Sequence, residues 1–354
     1  MDDQPRFAEA DLLEFAAACL RAHGMSDDDA RIGAEALVAS DLRGVNSHGL
    51  LLLARYCRQL QEGGVVARPN LLTVRETTAT ALLDGGAGLG QVTAVKAMRL
   101  AMDKAAEHGV GVVSVRNSHH FGAAAHYAAL ALERGMIGLA STNAGVTMTA
   151  PGAAGRLIGN NPFAFAVPNS EFPFVLDMAM SQSSGGRIRR MAETGEEVPL
   201  GWLVDAAGEN TTDPKDYPAG GALLPIGGHK GFGLALMVEI LSAVLSGAST
   251  TTDVRIDTVE PHAAAGMGHL LLAIDIGSFR DSAAFGADLR HLLGKVAVPV
   301  VRPAGSTGVL RVPGQASAEK MARARQLGVP LPGDVTSSLA ELAGELNLPL
   351  PRPL

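Results

Sequence analysis

Hydrophobic residues recur every three to four positions through the first sixty residues, and this spacing predicts three helices. The first is predicted over residues 8–22 and ends before Gly24, a residue that commonly ends helices. Ser26 and the three aspartates after it are typical of a helix start, so the second helix is predicted over residues 30–42. The third runs from about residue 49 to residue 62. The chain therefore begins with a small helical unit.

The pattern then changes to short apolar runs that alternate with helical segments. Strands are predicted over residues 78–84, 110–115, 137–141, 163–167, 174–177 and 269–276, and helices over residues 92–108, 123–134 and 233–246. This alternation is typical of an α/β layer architecture. After Pro303 helical spacing returns, over residues 317–326 and 335–346. The last six residues contain three prolines and are expected to form a loose tail.

Composition disfavours proteins that bind nucleic acids, contain a disulfide framework or span a membrane. The 354 residues are 47% hydrophobic and carry a formal net charge of −7, which disfavours a nucleic-acid partner. The only two cysteines, Cys19 and Cys57, fall in apolar helical segments and are predicted to be buried free thiols rather than a disulfide framework. No apolar segment reaches the length of a membrane span, and no apolar segment follows the acidic start, so we expect a cytoplasmic protein without a signal peptide.

A glycine-rich turn follows the first predicted strand of the α/β region. Gly86, Gly88 and Gly90 have Gly-x-Gly-x-Gly spacing, one residue short of the dinucleotide-binding fingerprint. The second strand ends near Arg116 without the acidic residue that would contact a ribose. We therefore expect a plain strand-to-helix turn rather than an ordinary Rossmann nucleotide site.

Two histidine segments are candidates for proton transfer. His48 lies between two predicted helices, with Ser47 able to fix its tautomer and Gly49 giving backbone freedom. A capping serine beside a structural histidine remains the alternative for this segment. His119 and His120 follow a buried strand, where α/β proteins place ligands, and adjacent residues on extended backbone point to opposite faces. We therefore expect one of these two histidines to face a site while the other packs or caps.

A further candidate site precedes an apolar helix. Glycines flank His229 and Lys230 at this predicted helix start, and free backbone N–H groups together with an ammonium group favour an anion. The phosphate-loop spacing is absent, so the motif by itself predicts only an anion site.

Taken in order, these segments resemble the malate/L-lactate dehydrogenase-like family, over about residues 8–346. The matching stretches are Ser40-Asp41-Leu42-Arg43-Gly44, Ser47-His48-Gly49, residues 84–91, Asn117-Ser118-His119-His120-Phe121-Gly122, Asn161-Pro162-Phe163, Leu176-Asp177-Met178-Ala179, Thr211-Thr212-Asp213-Pro214, His229-Lys230-Gly231-Phe232-Gly233 and Val312-Pro313-Gly314.

The resemblance implies an α/β fold that is not the ordinary Rossmann fold, with a central mixed sheet covered by helices. It also implies a helical domain formed by both ends of the chain. The expected division is an N-terminal helical domain (1–75), a cofactor-binding α/β domain (76–302) and a C-terminal helical segment (303–354) that packs on the first. A homodimer with its site near the interface is expected as well.

The same resemblance implies hydride transfer between NAD or NADP, with NAD favoured, and a small 2-hydroxy or 2-oxo acid. His48 would be the acid–base residue and Ser47 would orient it, while His120 matches a histidine that some relatives use instead. The residues that match cofactor-contacting positions are Asp177, Met178, Ala179, His229, Lys230, Gly231, Arg311, Pro313 and Gly314.

One position departs from the pattern of many relatives. Leu52 stands four residues after His48, where those relatives carry an arginine that can grip the substrate carboxylate. Because a guanidinium binds a carboxylate with two hydrogen bonds, we expect Arg43 or Arg55 to take this role. An apolar Leu52 favours a more hydrophobic substrate and speaks against malate, a dicarboxylate.

Three other functions stay open on the sequence. A reductase of cyclic imino acids, such as piperideine- or pyrroline-2-carboxylate, would use the same site. A metal-dependent hydrolase could use His48, His120, His229 and Asp177, but these residues lack metal-ligand spacing, so no metal is expected. A non-catalytic descendant that binds a cofactor is disfavoured by the presence of Ser47, His48, His120 and Lys230.

Overall fold

Helices and strands alternate through the middle of the chain. The computed structural model describes residues 4–256, 258–298 and 310–354. The helices are α1 (Glu9–Ala22), α2 (Asp27–Leu42), α3 (Leu53–Glu62), α4 (Gly90–His108), α5 (Ala124–Leu130), α6 (Gly185–Thr194), α7 (His229–Glu239), α8 (Ser282–Ala297), α9 (Gln315–Leu327) and α10 (Gly333–Leu346). The strands are β1 (Arg6–Phe7), β2 (Leu72–Glu76), β3 (Thr80–Asp84), β4 (Val110–Ser118), β5 (Ile137–Thr142), β6 (Phe163–Val167), β7 (Phe174–Met178), β8 (Leu203–Val204), β9 (Asn210–Thr211), β10 (Ala222–Leu223), β11 (Met267–Ile274) and β12 (Val329–Pro330).

Seven strands form the central sheet, in the order β2-β3-β4-β11-β5-β6-β7. Only the β3–β4 pair is parallel, and every other neighbouring pair is antiparallel. Following the pairings across the sheet, β3, β4, β5 and β7 all run in the same direction. This mixed sheet confirms the expected α/β fold with a central mixed sheet and differs from the parallel sheet of an ordinary dinucleotide-binding domain.

The main hydrophobic core lies between this sheet and the helices that cover it. Val113 and Val115 of β4 and Ala140 of β5 are fully buried against α4 and α5. The same core continues into the N-terminal helices, where Leu12, Leu37 and the two cysteines are buried. Cys19 and Cys57 are both free thiols, as the sequence predicted.

Both ends of the chain meet in a short sheet. Strand β1 pairs antiparallel with β12, and α10 packs against α1 and α3. The expectation of a loose C-terminal tail is wrong, because Pro353 forms a bridge with Phe7 and the backbone N–H of Leu354 donates to the carbonyl of Arg6 at 2.8 Å. Prolines lack an N–H group, but their neighbours can still pair with an edge strand. The expected boundary at residue 303 lies outside the described residues.

Several element boundaries differ from the sequence prediction for physical reasons. Strand β2 was missed because all five of its residues are exposed at the sheet edge and show no apolar alternation. Helix α8 was missed because none of its residues is buried. The third predicted helix begins as 3₁₀ turns, at Asn46–His48 and Leu50–Leu52, and α7 begins at His229, four residues earlier than predicted. No helix in the described ranges combines the length and apolarity needed to cross a bilayer.

Candidate active site

Polar residues gather at one edge of the central sheet. Because β3, β4, β5 and β7 run in the same direction, their carboxyl ends, at Asp84, Ser118, Thr142 and Met178, meet at this edge. Ligands of α/β proteins bind at the carboxyl ends of strands. The segments predicted from sequence at residues 117–122 and 176–179 therefore lie at the same edge of one sheet.

His48 lies on the 3₁₀ turn that joins α2 to α3. Its side chain is half-buried, and the hydroxyl of the exposed Ser47 is 2.9 Å from the Nδ1 atom of its ring. A hydrogen bond at Nδ1 fixes the tautomer and leaves Nε2 as the nitrogen that can exchange a proton with a ligand. The structure thus brings Ser47 and His48 together.

His120 lies beside His48. The two rings are stacked with centroids 5.8 Å apart, and the hydroxyl of Tyr56 is 2.7 Å from Nδ1 of His120. Tyr56 is buried in α3 and its ring also stacks on His120. The neighbouring His119 is 1% exposed and belongs to the interior, whereas His120 is half-buried. The two adjacent histidines therefore divide between interior and site, as their alternation on extended backbone predicted.

The electrostatic environment keeps both site histidines neutral near pH 7. Burial, and secondly the positive charge of Arg55, lower the pKa of His48 below its ordinary value. The pKa of His120 is lowered further, by burial first, then by Arg55 and by His48. Arg55 of α3 is therefore the arginine whose charge acts on both rings.

Arg43 has different surroundings, although it was the other candidate for binding a carboxylate. It lines a cavity of about 160 Å³ with Val175, Gly314, Met321 and Arg325. Its Nε atom is buried and makes no hydrogen bond to the described residues, and burial lowers the pKa of its guanidinium. Leu52 packs against the main hydrophobic core. Of the three residues predicted to bind substrate, Arg55 is the one whose charge acts on both histidines.

The residues predicted to contact a cofactor lie on three segments along β7. Gly314 fits against β7 so closely that a Cβ atom there would lie 2.4 Å from the carbonyl oxygen of Pro173. The backbone N–H of Val175 donates to the carbonyl of Pro313 at 3.3 Å. These contacts place the segment with Arg311, Pro313 and Gly314 beside the strand that carries Asp177 and Met178.

The third segment, which precedes α7, contacts the chain just beyond the opposite, carboxyl end of β7. The backbone N–H of Ile226 donates to the carbonyl of Met180 at 2.8 Å, and Ser181 forms a bridge with Pro225. His229 and Lys230, both exposed, therefore begin α7 close to the end of β7. Gly231 is buried in the first turn of that helix.

Asp177 connects β7 to the segment that carries His120. Its Oδ2 atom accepts a hydrogen bond from the backbone N–H of Ala125, at the start of α5. Desolvation raises the pKa of this carboxyl group, while the Ala125 hydrogen bond and the charge of Arg43 oppose the increase. This hydrogen bond thus links the strand of one predicted cofactor segment to the helix that follows His120 in the chain.

These residues fit a nicotinamide dinucleotide. The exposed ammonium of Lys230 and the unpaired Nε of Arg43 offer partners for phosphate groups, whereas Arg311 forms an ion pair with Glu319 at 3.2 Å. Gly227 and Gly228 precede α7 with positive φ angles of 57° and 61°, and a Cβ at Gly228 would meet no atom within 4 Å. The backbone before α7 is therefore open to a ligand.

Sequence reasoning missed three residues that support the histidine pair. Tyr56 lies in the third predicted helix and was not singled out. Asp41 stood in a matching motif without an assigned role, and it contacts the loop of His48. His269, on β11, joins the ends of two strands. Its Nδ1 atom is 2.8 Å from the hydroxyl of Thr142, and its Nε2 atom is 2.8 Å from the hydroxyl of Ser118. No local sequence pattern predicts these contacts. Those of Tyr56 and His269 join residues more than 60 positions apart, and those of Asp41 depend on burial of its carboxylate.

A metal centre was weighed against this arrangement. In the part of the chain that the structure describes, no three or more histidine, cysteine, aspartate or glutamate side chains come together as a metal site.

Comparison with known proteins matches nearly the whole chain. The family model described as Malate/L-lactate dehydrogenase matches residues 7–340. The malate dehydrogenase of Pyrococcus abyssi is 36% identical over 350 residues, which cover 97% of this chain and 95% of that protein. The Delta(1)-pyrroline-2-carboxylate/Delta(1)-piperideine-2-carboxylate reductase of Pseudomonas putida is 31% identical over 328 residues, covering 92% and 94%. The solved structure of malate dehydrogenase from Pyrococcus horikoshii OT3 superposes with a TM-score of 0.90, at 33% identity and with 99% and 98% of the chains covered.

Proposed function

Because the chain belongs to the malate/L-lactate dehydrogenase family of oxidoreductases, we propose that it interconverts small 2-hydroxy acids and 2-oxo acids with His48 as its acid–base residue. The observation that carries this proposal is the position of His48. The ring lies half-buried beside His120, with Ser47 on Nδ1 and the charge of Arg55 acting on it. This is a proton carrier next to a group that can hold a carboxylate.

The reaction divides between cofactor and protein. When bound, the nicotinamide supplies or accepts the hydride at its C4 atom. In reduction, Nε2 of His48 gives its proton to the carbonyl oxygen of the substrate, and in oxidation it removes the proton of the hydroxyl group. Ser47 holds Nδ1 and so presents Nε2. His120, held in the same way by Tyr56, is the second candidate for this step.

Arg55 binds the substrate carboxylate in this proposal. Its guanidinium is one of the two causes that lower the pKa of His48. A bound carboxylate neutralises that charge, so the pKa of His48 rises when substrate binds and the ring more readily carries the proton that reduction requires. Leu52, packed on the core at the position of the missing arginine, favours a substrate with one carboxylate over malate.

The cofactor is held by the three segments around β7. Asp177, Met178 and Ala179 lie at the end of the strand, His229, Lys230 and Gly231 begin α7, and Arg311, Pro313 and Gly314 pack against the strand. In this proposal Lys230 meets a phosphate group, and Arg311 does so after leaving its ion pair with Glu319. We further propose NAD or NADP, with NAD favoured, and initial rates with each cofactor decide between them.

The test is a substrate panel. Purified protein is mixed with NADH or NADPH and with small 2-oxo acids, dicarboxylic 2-oxo acids and cyclic imino acids, while the absorbance of the reduced nicotinamide is followed. Oxidation with a monocarboxylic 2-oxo acid as best substrate is expected. A best rate with oxaloacetate would refute the argument from Leu52, and no oxidation with any 2-oxo acid would refute the main proposal.

A reductase of cyclic imino acids is the second candidate. The Pseudomonas putida relative is named for pyrroline- and piperideine-2-carboxylate. These substrates also carry one carboxylate, which Arg55 could bind, and reduction of an imine needs the same proton carrier. Oxidation of the cofactor by cyclic imines alone would move the proposal to this reaction.

We also propose that each chain is divided into domains of residues 1–75, 76–302 and 303–354. Two chains form a homodimer with the site near the interface. The support is an exposed apolar face on α7 and the π-helical turn that follows it. Large apolar residues there remain 41–60% exposed, namely Leu236, Met237, Ile240, Val244 and Leu245. A contiguous exposed apolar patch marks an interaction surface. Because α7 begins with His229 and Lys230, a second copy on this face would lie near the cofactor segments.

A further inference from the structure

A buried carboxylate holds the loop that carries His48. Asp41 lies in the last turn of α2 and is 1% exposed. Its Oδ1 atom accepts a hydrogen bond of 2.7 Å from the side-chain amide of Asn46. Its Oδ2 atom accepts another of 2.7 Å from the backbone N–H of Leu50. The two donors lie on either side of Ser47 and His48 in the sequence.

Gly49 shows how closely this carboxylate fits the loop. A Cβ atom at Gly49 would lie 2.2 Å from Oδ1 of Asp41 and 2.3 Å from its Oδ2. No side chain fits in that space, so Gly49 is required because the carboxylate occupies it. The carboxylate therefore touches positions 46, 49 and 50, which enclose the two residues of the proposed proton carrier.

We propose that Asp41 is a positioning residue for His48, whose carboxylate fixes both ends of the Ser47-His48 segment and so sets the direction of the imidazole ring. The inference rests on the proposed function of His48. Both hydrogen bonds are short, at 2.7 Å, and the carboxyl group of Asp41 accepts both. A segment fixed at both ends by such bonds cannot turn its ring away without breaking one of them.

The choice of residue supports a specific role. The hydrogen-bond partners of the carboxylate are neutral donors, and burial raises the pKa of Asp41 to about 7. Burying a carboxylate among neutral groups is unfavourable compared with burying an amide of the same shape. An asparagine could span the same distance, but its amide nitrogen would face either the N–H of Leu50 or the amide donor of Asn46. With Asn46 oriented as it is here, only a group with two acceptor atoms satisfies both donors.

The test begins with Asp41→Asn. We expect kcat to fall roughly 10- to 100-fold, because a misplaced catalytic group loses about that much, while the KM for the cofactor stays within about twofold. Asp29→Asn is the matched control, since Asp29 is a buried carboxylate at the other end of α2 that pairs with Lys96 at 2.7 Å. It lowers stability and leaves kcat unchanged. Equal kcat losses in the two variants would overturn the proposal.

An exchange of the two side chains gives a stronger test. In the double variant Asp41→Asn with Asn46→Asp, the amide oxygen at position 41 can accept from Leu50 and its amide nitrogen can donate to the new carboxylate at position 46. Both hydrogen bonds are restored, so we expect most of kcat to return. A double variant that recovers the melting temperature but not kcat would refute positioning by these bonds.

The ring itself provides a readout that does not depend on turnover. Long-range ¹H–¹⁵N spectra report the tautomer of each histidine, and Asp41→Asn is expected to shift the His48 nitrogen signals toward a mixture of tautomers. Unchanged signals would refute the positioning role, whatever the activity of the variant. Shifted signals in an enzyme that keeps its turnover after His48→Ala would support the positioning role and refute the proposed function instead.

Discussion

The hydroxyl of Tyr56 lies 2.7 Å from Nδ1 of His120, in the same way that the hydroxyl of Ser47 lies 2.9 Å from Nδ1 of His48. Each ring has a hydroxyl on Nδ1, and the two rings stack 5.8 Å apart. Their surroundings differ, because burial, Arg55 and neighbouring histidines lower the pKa of His120 more strongly than burial and Arg55 lower that of His48. His48 therefore takes up a proton more easily, which is why we propose it rather than His120 as the acid–base residue.

Replacement of His48 tests that assignment. His48→Ala should lower kcat by roughly two to four orders of magnitude while cofactor still binds, since general acid–base catalysis is lost and the β7 segments stay intact. The measurements are steady-state rates and a cofactor titration of the same preparation. Tyr56→Phe, which removes only the hydroxyl at His120, should lower kcat about tenfold or less. A larger loss of kcat in Tyr56→Phe than in His48→Ala would indicate that His120 is the proton carrier.

Much of the fold could be predicted because its signals are local. Helical spacing and Ser26 located α2, whose first turn is capped by the Ser26 hydroxyl at 3.2 Å from the N–H of Asp29. The apolar run at Phe163–Val167 coincided with β6. Elements with no buried residue were missed, namely the exposed strand β2 and the exposed helix α8. The paired C-terminus was missed because pairing with Arg6 and Phe7 depends on partners more than 300 residues away.

The site was less predictable than the fold. Ser47 and His48 are neighbours in sequence, so their contact followed from local reasoning. Arg43 and Arg55 were indistinguishable as candidates, because only the folded chain shows that the charge of Arg55 acts on both histidines and that Arg43 lines a cavity beside β7. The role of Asp41 depends on a buried loop contact, which no spacing rule describes.

Arg55 can be tested with a neighbour as its control. Arg55→Met should raise the KM for a 2-oxo acid roughly 100-fold, as expected when a charged hydrogen-bonded pair is lost, with little effect on the KM for the cofactor. Arg58→Met is the matched control, because Arg58 is exposed on the same helix and pairs with Glu62 at 2.7 Å. Equal KM values in the two variants would exclude Arg55 as the carboxylate partner and return attention to Arg43.

The charge of Arg55 also predicts a pH effect. In the free enzyme the pKa of His48 lies below its ordinary value, so kcat/KM for reduction should fall as pH rises through that lowered pKa and the ring loses its proton. Bound carboxylate removes part of the cause, so the fall in kcat should occur at higher pH. In Arg55→Met the two profiles should converge. Coincident profiles in the unmodified enzyme would contradict this coupling.

Lys230 tests the cofactor segments. Lys230→Ala should weaken cofactor binding by roughly tenfold, the effect of losing one charged contact to a phosphate, and leave the KM for the 2-oxo acid nearly unchanged. Lys215→Ala is the control, because this exposed lysine belongs to the 3₁₀ turn Pro214–Asp216, which is not one of the proposed cofactor segments. Calorimetric titration with NADH and NADPH measures both variants. Identical affinities in Lys230→Ala and the unmodified protein would remove α7 from the cofactor site.

The exposed face of α7 predicts the oligomeric state. Ile240 and Val244 are 55% and 60% exposed, one helical turn apart, and a second copy covering them would remove both from water. Light scattering after size exclusion should therefore give twice the chain mass of 36.4 kDa.

A glutamate at position 240 would bury a charge at that interface, so Ile240→Glu should shift the protein toward monomer and weaken cofactor binding through α7. Leu200→Glu, at a residue that is 72% exposed in another part of the chain, should stay dimeric. A monomer in the unmodified protein would refute the proposal, and a dimer unaffected by Ile240→Glu would place the interface elsewhere.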